Sequence, residues 1–155
     1  KYGIKLRWYK HPDIDSLHAI PSFKVRKKWK IKADFIPFDT AKIILVGNMI
    51  GGTEEIKCPG ELEFRIGLKK YQLYPGKAGD GLFIIFGDKT SGKSSYPSGR
   101  FLYIMEPDEN NEVIIDFNKA YNPPCAFTPY ATCPLPPREN ILDLKVTAGE
   151  MEVHL

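Results

Sequence analysis

The sequence has few of the side chains that bind transition metals or act as nucleophiles. It holds three cysteines and three histidines in 155 residues, and no Cys-x-x-Cys occurs. His11, His18 and His154 lie near the chain ends, and none has a second ligand at helical spacing. A zinc ribbon or a helical metal motif is therefore excluded. We predict neither a bound metal nor a cofactor.

Long apolar segments are also missing. The longest apolar runs, "IILV" and "LFIIF", are far shorter than the roughly 20 residues of a transmembrane helix, so we predict no membrane span. The chain begins at Lys1 and not at methionine, so we expect any targeting signal to lie outside it. Cytoplasmic and extracytoplasmic locations both stay open, and the sequence sets no oligomeric state.

The charge is small overall, +3 at pH 7, but unevenly distributed. Residues 1–32 carry ten basic and two acidic side chains, which leaves twelve basic and seventeen acidic for the remainder. A basic arm can bind nucleic acid. In "VRKKWKIKADF" (25–35), however, basic and apolar residues mostly alternate, as they do on the wet and dry faces of one strand. We therefore predict no nucleic-acid partner.

Helical periodicity is nearly absent, and alternation of period two recurs throughout the chain. In "ELEFRI", Leu62, Phe64 and Ile66 share one face. Gly51-Gly52 suits a two-residue hairpin turn, and "EPDENNE" (106–112) predicts a longer hairpin loop. We predict a single all-β domain over 1–155, an antiparallel barrel-like fold or a sandwich. The predicted strands are about 3–9, 25–36, 42–50, 53–58, 61–67, 70–74, 82–87, 100–105, 112–117 and 141–148.

One long segment, residues 118–140, interrupts the strand pattern. It contains six prolines, each of which fixes a backbone angle and removes an amide donor, so we expect a stiff loop. Loops of this length inside compact domains are uncommon and often bind ligands.

The stretch "GDKTSGKS" (87–94) satisfies the pattern of a nucleotide-binding P-loop. In such a loop, the residue after the lysine opens a helix whose N-terminal amides hold the phosphates. Here Pro97 and Gly99 follow within a few residues, and a strand pattern begins directly after them. We therefore interpret the stretch as a loop between two strands and not as an NTPase motif.

Two stretches, "FGDKTSGKSSYPSGRFLYI" and "DFNKAYNPPCAFTPYATCPLPPREN", resemble the signature of an uncharacterised bacterial and archaeal family, domain of unknown function 1684. The resemblance is dense over about 82–150 and extends over a core of about 23–150. Ser95 stands where the family pattern has threonine, and Phe101 where it has tyrosine. The resemblance implies no established activity, so no catalytic residue is carried over.

Polar residues concentrate at the strand ends beside the proline-rich loop. They can brace the fold by pairing with one another and with turn backbones. They can also converge on a pocket under the loop that binds a small anionic or hydroxylated ligand. For this binding site the candidates are Thr90, Tyr96, Arg100, Asn118, Tyr121, Asn122 and Asn140.

An enzyme would need an acid–base pair or a nucleophile. Asp88, Asp116 and Glu139 could serve a carboxylate-based or metal-dependent, hydrolase-like enzyme. Cys125 has no histidine near it in sequence to activate it. We therefore favour a non-enzymatic small-ligand binding or accessory module and keep the hydrolase-like enzyme as the alternative.

The cysteines leave two possibilities open. A disulfide between Cys125 and Cys133 would close a short loop, and a reduced pair in the cytosol fits the sequence equally well. Cys58 would be unpaired in either case.

Overall fold

The computed structural model of the protein describes residues 19–153. The strand predicted at 3–9, with Trp8, lies outside the described residues. Within them the chain forms 3-10 turns and no α-helix, and the predicted all-β fold is confirmed. The strands are β1 (Lys30–Gly47), β2 (Thr53–Ile66), β3 (Lys69–Leu73), β4 (Gly76–Ala78), β5 (Gly81–Asp88), β6 (Arg100–Met105), β7 (Glu112–Asp116) and β8 (Ile141–Leu142).

The strands form two sheets that curl into a half-barrel. The first sheet has the order β3-β2-β1-β7, and all its pairs are antiparallel. The second has the order β4-β5-β6, with the short β8 pairing parallel to β5. In the part of the chain that the structure describes, no helix has the length and apolar character needed to cross a membrane.

In the structure, two pairs of predicted strands each form one long, bent strand. The predicted strands 25–36 and 42–50 merge into β1, and 53–58 and 61–67 merge into β2. The register of the β1–β2 pair shifts between Pro37 and Lys42, as in a bulge that bends a strand without ending it. Gly60 allows the close approach there, because a Cβ atom at this position would lie 2.5 Å from the Ile36 carbonyl oxygen.

The hairpin predicted at Gly51-Gly52 is confirmed, but its predicted two-residue turn is wrong, because residues 48–52 form the loop between β1 and β2. Asn48 organises this loop. Its backbone N–H donates to the Gly52 carbonyl at 2.9 Å, and its side-chain oxygen accepts from the Gly52 N–H at 2.7 Å. Gly51 has φ +82°, which glycine adopts without strain.

The second predicted hairpin is wrong. β6 pairs with β5 and β7 pairs with β1, so residues 106–111 connect two different sheets. Asp108 fixes this connection by accepting the N–H groups of Asn110 and Glu112, each at 2.9 Å. The Asn111 carbonyl then accepts from Phe35 on β1 at 2.7 Å, which directs β7 to the first sheet. An unpaired seam therefore remains between β6 and β7.

The strand predicted at 141–148 is also mostly wrong. Only Ile141–Leu142 pairs, and the following residues cross the end of the second sheet without ladder pairing. The short β4 was not predicted, because three residues carry almost no periodic signal.

The core lies between the two sheets. Phe117 is its centre, with Trp29, Phe64 and Phe86 around it at ring-centroid distances of 5.4 to 6.1 Å. Trp29 is 3% exposed. A smaller cluster of Ile85, Phe101 and Cys133 anchors the proline-rich loop to the outer face of the second sheet.

Candidate functional site

Residues 87–94 form a tight loop and not the start of a helix. The Thr90 carbonyl lies 3.0 to 3.1 Å from the N–H groups of Lys93, Ser94 and Ser95, and β6 begins at Arg100. The predicted loop between two strands is therefore confirmed. No helix N-terminus follows Lys93 to hold a phosphate group.

Arg100 is the first residue of β6, and its side chain is fully buried. Its Nη2 atom is 3.2 Å from Asp88 Oδ1 and donates to the Val146 carbonyl at 3.0 Å. Its Nη1 atom donates to the carbonyls of Ala148 and Glu150, the second at 3.1 Å. The guanidinium thus ties the start of β6 to the backbone of residues 146–150.

Asp88 is the counter-charge of Arg100 and is itself saturated with donors. Its carboxylate accepts from the Thr90 N–H at 3.1 Å, from the Thr90 hydroxyl, and from the Val146 N–H at 2.7 Å. The Thr90 hydroxyl also lies 2.8 Å from that of Ser95. The loop after β5 is therefore folded around the same ion pair.

Burial of the guanidinium lowers the pKa of Arg100, and the charge of Asp88 opposes that shift. Arginine keeps its proton in proteins because its ordinary pKa is so high. The guanidinium also lies 5.3 Å from the ring centroid of Phe86 and 5.9 Å from that of Phe23, so aromatic rings cover it.

Two of the three asparagines of the predicted site, Asn122 and Asn140, are buried and bound to backbone groups. Asn140 accepts from the Tyr74 N–H at 2.7 Å and donates to the carbonyls of Tyr74 and Ile85. Asn122 donates to the Met151 carbonyl at 2.8 Å, and its backbone N–H donates to the Glu150 carboxylate at 2.7 Å. The side-chain oxygen of Asn122 has no partner among the described residues.

The two tyrosines are less buried. The Tyr96 hydroxyl donates to the Cys125 carbonyl at 3.2 Å. Burial, with the neighbouring Cys125 thiol, raises the pKa of Tyr96 to about 12. Tyr121 is 37% exposed and exchanges backbone hydrogen bonds with Phe101 on β6. Both tyrosines link the proline-rich loop to the second sheet.

The three candidate catalytic carboxylates have different surroundings. Asp88 is buried at the ion pair, whereas Asp116 accepts from the side chain and N–H of Asn118 at 2.8 and 3.1 Å. Glu139 is exposed and lines a separate shallow pocket of about 420 Å³ with Lys42 and Tyr74. Within residues 19–153, no group of three or more His, Cys, Asp or Glu side chains is placed to hold a metal ion.

Asn118 has a structural contact of its own. Its side chain accepts from the backbone N–H of Arg26 and donates to the Arg26 carbonyl, both at 3.1 Å. This pair of bonds fixes the chain just before the 3-10 turn that leads into β1.

The cysteines of the proline-rich loop lie side by side. The Cys125 N–H donates to the Cys133 sulfur at 3.2 Å, and both side chains are thiols in the structure. Burial, with the neighbouring Cys125 thiol, raises the pKa of Cys133 to about 11. Cys58 is buried elsewhere and donates to the Gly60 carbonyl at 3.0 Å.

A groove that was not predicted runs along the seam between β6 and β7. Its volume is about 590 Å³. Exposed side chains of Tyr103, Met105 and Ile114 lie along it. These apolar residues occupy outward-facing strand positions, which could have been noticed in the sequence. The groove was not predicted because β6 and β7 were expected to pair as a hairpin. The charged residues of the lining are Lys30, Lys32, Glu106, Asp108, Glu112, Asp116 and Lys119.

The chain is a small all-β half-barrel with a buried ion pair between Arg100 and Asp88. The chain belongs to the family described as protein of unknown function DUF1684, whose model matches residues 15–151. It is similar to the solution NMR structure of an uncharacterized protein from Haloarcula marismortui, with a TM-score of 0.73 and 27% identity. The match covers 91% of this chain and 80% of that one. No curated protein matches the chain.

Replacing Asp88 tests the ion pair. Asp88→Asn leaves the Arg100 guanidinium buried without a counter-charge, and we expect the free energy of unfolding to fall by about 3–5 kcal/mol. Urea denaturation measures this loss. The control is Asp143→Asn, which removes a surface carboxylate that pairs with Lys89. Equal effects of the two substitutions would contradict a structural role for Asp88.

The cysteine pair gives a second prediction. We expect protein produced under oxidising conditions to contain a Cys125–Cys133 disulfide, seen by non-reducing mass spectrometry as a bridged peptide. Because exchange needs a thiolate and the pKa of Cys133 is raised, bridging by oxidised glutathione should accelerate from about pH 7 to about pH 9. Cys58→Ser should retain the bridge. Two free thiols in the loop under these conditions would refute the pairing.

Proposed function

We propose that the protein is a non-enzymatic binding or accessory module and that a small ligand occupies the groove between β6 and β7. The observation that carries this proposal is the open seam, where two strands of different sheets leave apolar side chains exposed. Beneath the proline-rich loop, by contrast, the charged groups of Arg100 and Asp88 are buried and bonded to the protein.

The floor of the groove is apolar. Tyr103, Met105 and Ile114 are 43%, 70% and 48% exposed, and they lie on the two strands that border the seam. Single exposed apolar residues are ordinary on protein surfaces, whereas a contiguous apolar patch with a polar rim is typical of a binding site. This arrangement supports a ligand with one apolar surface.

The rim carries charges of both signs. Three lysines and four carboxylates line the groove, so the net field is small. Lys32 and Glu112 already pair across the strands at 2.5 Å. A neutral ligand with hydroxyl groups can donate to carboxylates and accept from ammonium groups, whereas a simple anion meets repulsion from the carboxylates. Of the two ligand classes expected from the sequence, the groove favours the hydroxylated one.

The enzymatic alternative gains less support. Of its three carboxylates only Asp116 lines the groove, while Asp88 is buried with Arg100 and Glu139 lies in a different pocket. A general acid–base pair needs two groups within reach of one substrate, whereas Asp116 and Glu139 line different pockets of the described residues.

Titrating the isotope-labelled protein with small ligands and following its amide NMR signals tests the proposal. The panel contains a neutral sugar (glucose), a linear polyol (sorbitol) and an anion (citrate). We expect a neutral hydroxylated compound to shift the signals of Tyr103, Met105 and Ile114. Lys119→Ala should weaken that binding several-fold, because it removes a donor at the rim, whereas Lys145→Ala, outside the groove, should not.

Two results would contradict the proposal. One is the absence of any shift in the groove across the whole panel. The other is a set of shifts centred on Tyr96 and Tyr121, which would place the ligand beneath the proline-rich loop.

A further inference from the structure

We infer that Cys125 is a site of reversible thiolation, where a low-molecular-weight disulfide such as oxidised glutathione leaves a mixed disulfide that Cys133 then resolves. The inference goes beyond the proposed ligand groove, whose lining contains neither cysteine. It depends on the unequal exposure of the two thiols, on the contact between them, and on how the fold holds each one.

The two thiols differ in exposure. Cys133 is 3% exposed and packs with Ile85 and Phe101, whereas Cys125 is only partly buried beside them. A disulfide in solution reacts only with a sulfur that it can reach, so exchange selects accessible thiols. Cys125 is therefore the sulfur at which thiolation begins, and Cys133 is shielded.

Backbone hydrogen bonds keep Cys133 in its shielded position. Its carbonyl accepts from the Met49 N–H at 3.3 Å, and the Leu135 N–H donates to the Gly47 carbonyl at 2.7 Å. These bonds tie the chain around Cys133 to the end of β1 and to the hairpin loop that follows it. Reaching the Cys133 sulfur from solution therefore requires a local opening of the structure.

Cys125 is held by a stiff turn. It is the middle residue of the 3-10 turn Pro124–Ala126, which follows a further proline. The Tyr96 hydroxyl lies beside the Cys125 thiol and donates to the Cys125 carbonyl at 3.2 Å. These contacts fix the backbone that carries the thiol, so Cys125 remains next to Cys133 after it has been modified.

Thiolation and resolution are two exchange steps. In the first, the Cys125 thiolate attacks one sulfur of oxidised glutathione, forms a mixed disulfide and releases one glutathione thiolate. The Cys125 N–H donates to the Cys133 sulfur at 3.2 Å, so the second thiol is within reach of the first. The Cys133 thiolate then attacks the Cys125 sulfur, forms the protein disulfide and releases the other glutathione thiolate. Two protein thiols are oxidised, one glutathione disulfide is reduced, and the two leaving thiolates take up the two protons that the cysteines lose.

The surroundings of Cys133 slow the second step at neutral pH. Burial, with the neighbouring Cys125 thiol, raises the pKa of Cys133 to about 11. The ionisable groups that face Cys133 among the described residues are Cys125, Tyr96 and Glu54, and none of them supplies a positive charge to stabilise its thiolate. Below the pKa, the thiolate fraction grows about tenfold with each pH unit. We therefore expect the mixed disulfide to accumulate at about pH 7 and the bridge to replace it at about pH 9.

Mass spectrometry of the full chain after incubation with oxidised glutathione tests the site. Cys133→Ser removes the resolving thiol and should accumulate glutathione on Cys125 at about pH 7. Cys125→Ser leaves only the shielded thiol of the pair and should gain glutathione on Cys133 at least about tenfold more slowly. Both variants also carry Cys58→Ser, so that each has a single thiol to follow.

The same two variants in urea are the control, because both thiols are then exposed and should react at similar rates. Equal rates in the folded variants, or a faster reaction at Cys133, would overturn the inference. Failure of folded Cys133→Ser to take up glutathione would overturn it as well, and so would a bridge that forms in the unchanged protein at about pH 7 with no mixed disulfide before it. The dispersion of the amide NMR spectrum shows whether each variant is folded, and alanine replaces serine in any variant that is not.

Discussion

The buried ion pair between Arg100 and Asp88 is the interaction on which the rest of the architecture depends. A charge taken out of water is stable only when it is paired and hydrogen-bonded. The two Nη atoms of Arg100 meet this condition with one carboxylate and three backbone carbonyls, while its Nε has no partner among the described residues. Asp88 meets it with donors from Thr90 and Val146. The pair thereby joins the loop after β5, the start of β6 and the C-terminal segment at one point.

The residues that form the ion-pair centre are different from the apolar residues that face solvent at the seam. The aspartate, threonine and arginine of the "GDKTSGKSSYPSGR" stretch serve the ion-pair centre, and Asn122 and Asn140 fasten backbone segments beside it. An accessible apolar surface lies along the seam between β6 and β7, on Tyr103, Met105 and Ile114. The polar residues of this motif thus serve the fold, whereas we propose the ligand site on residues that take no part in the ion-pair centre.

Local alternation was enough to predict the strands but not their partners. β5, β6 and β7 were predicted almost to the residue, yet β6 and β7 were wrongly paired because chain proximity suggested a hairpin and the register with β1 is non-local. The polar residues could be named as candidates from the sequence, but their partners could not. The acceptors of Arg100 are backbone carbonyls of residues 146–150, which no side-chain pattern reveals. The groove was not predicted either, because it lies between β6 and β7, whose pairing partners local alternation does not give.

Amide hydrogen exchange at Val146 tests the central claim most directly. Its N–H donates to Asp88 at 2.7 Å in a segment that has no ladder pairing of its own. If the ion pair holds this segment to the fold, the amide should exchange only through global unfolding, as slowly as core amides such as that of Ile84. Exchange at the rate of an exposed loop amide would contradict the account.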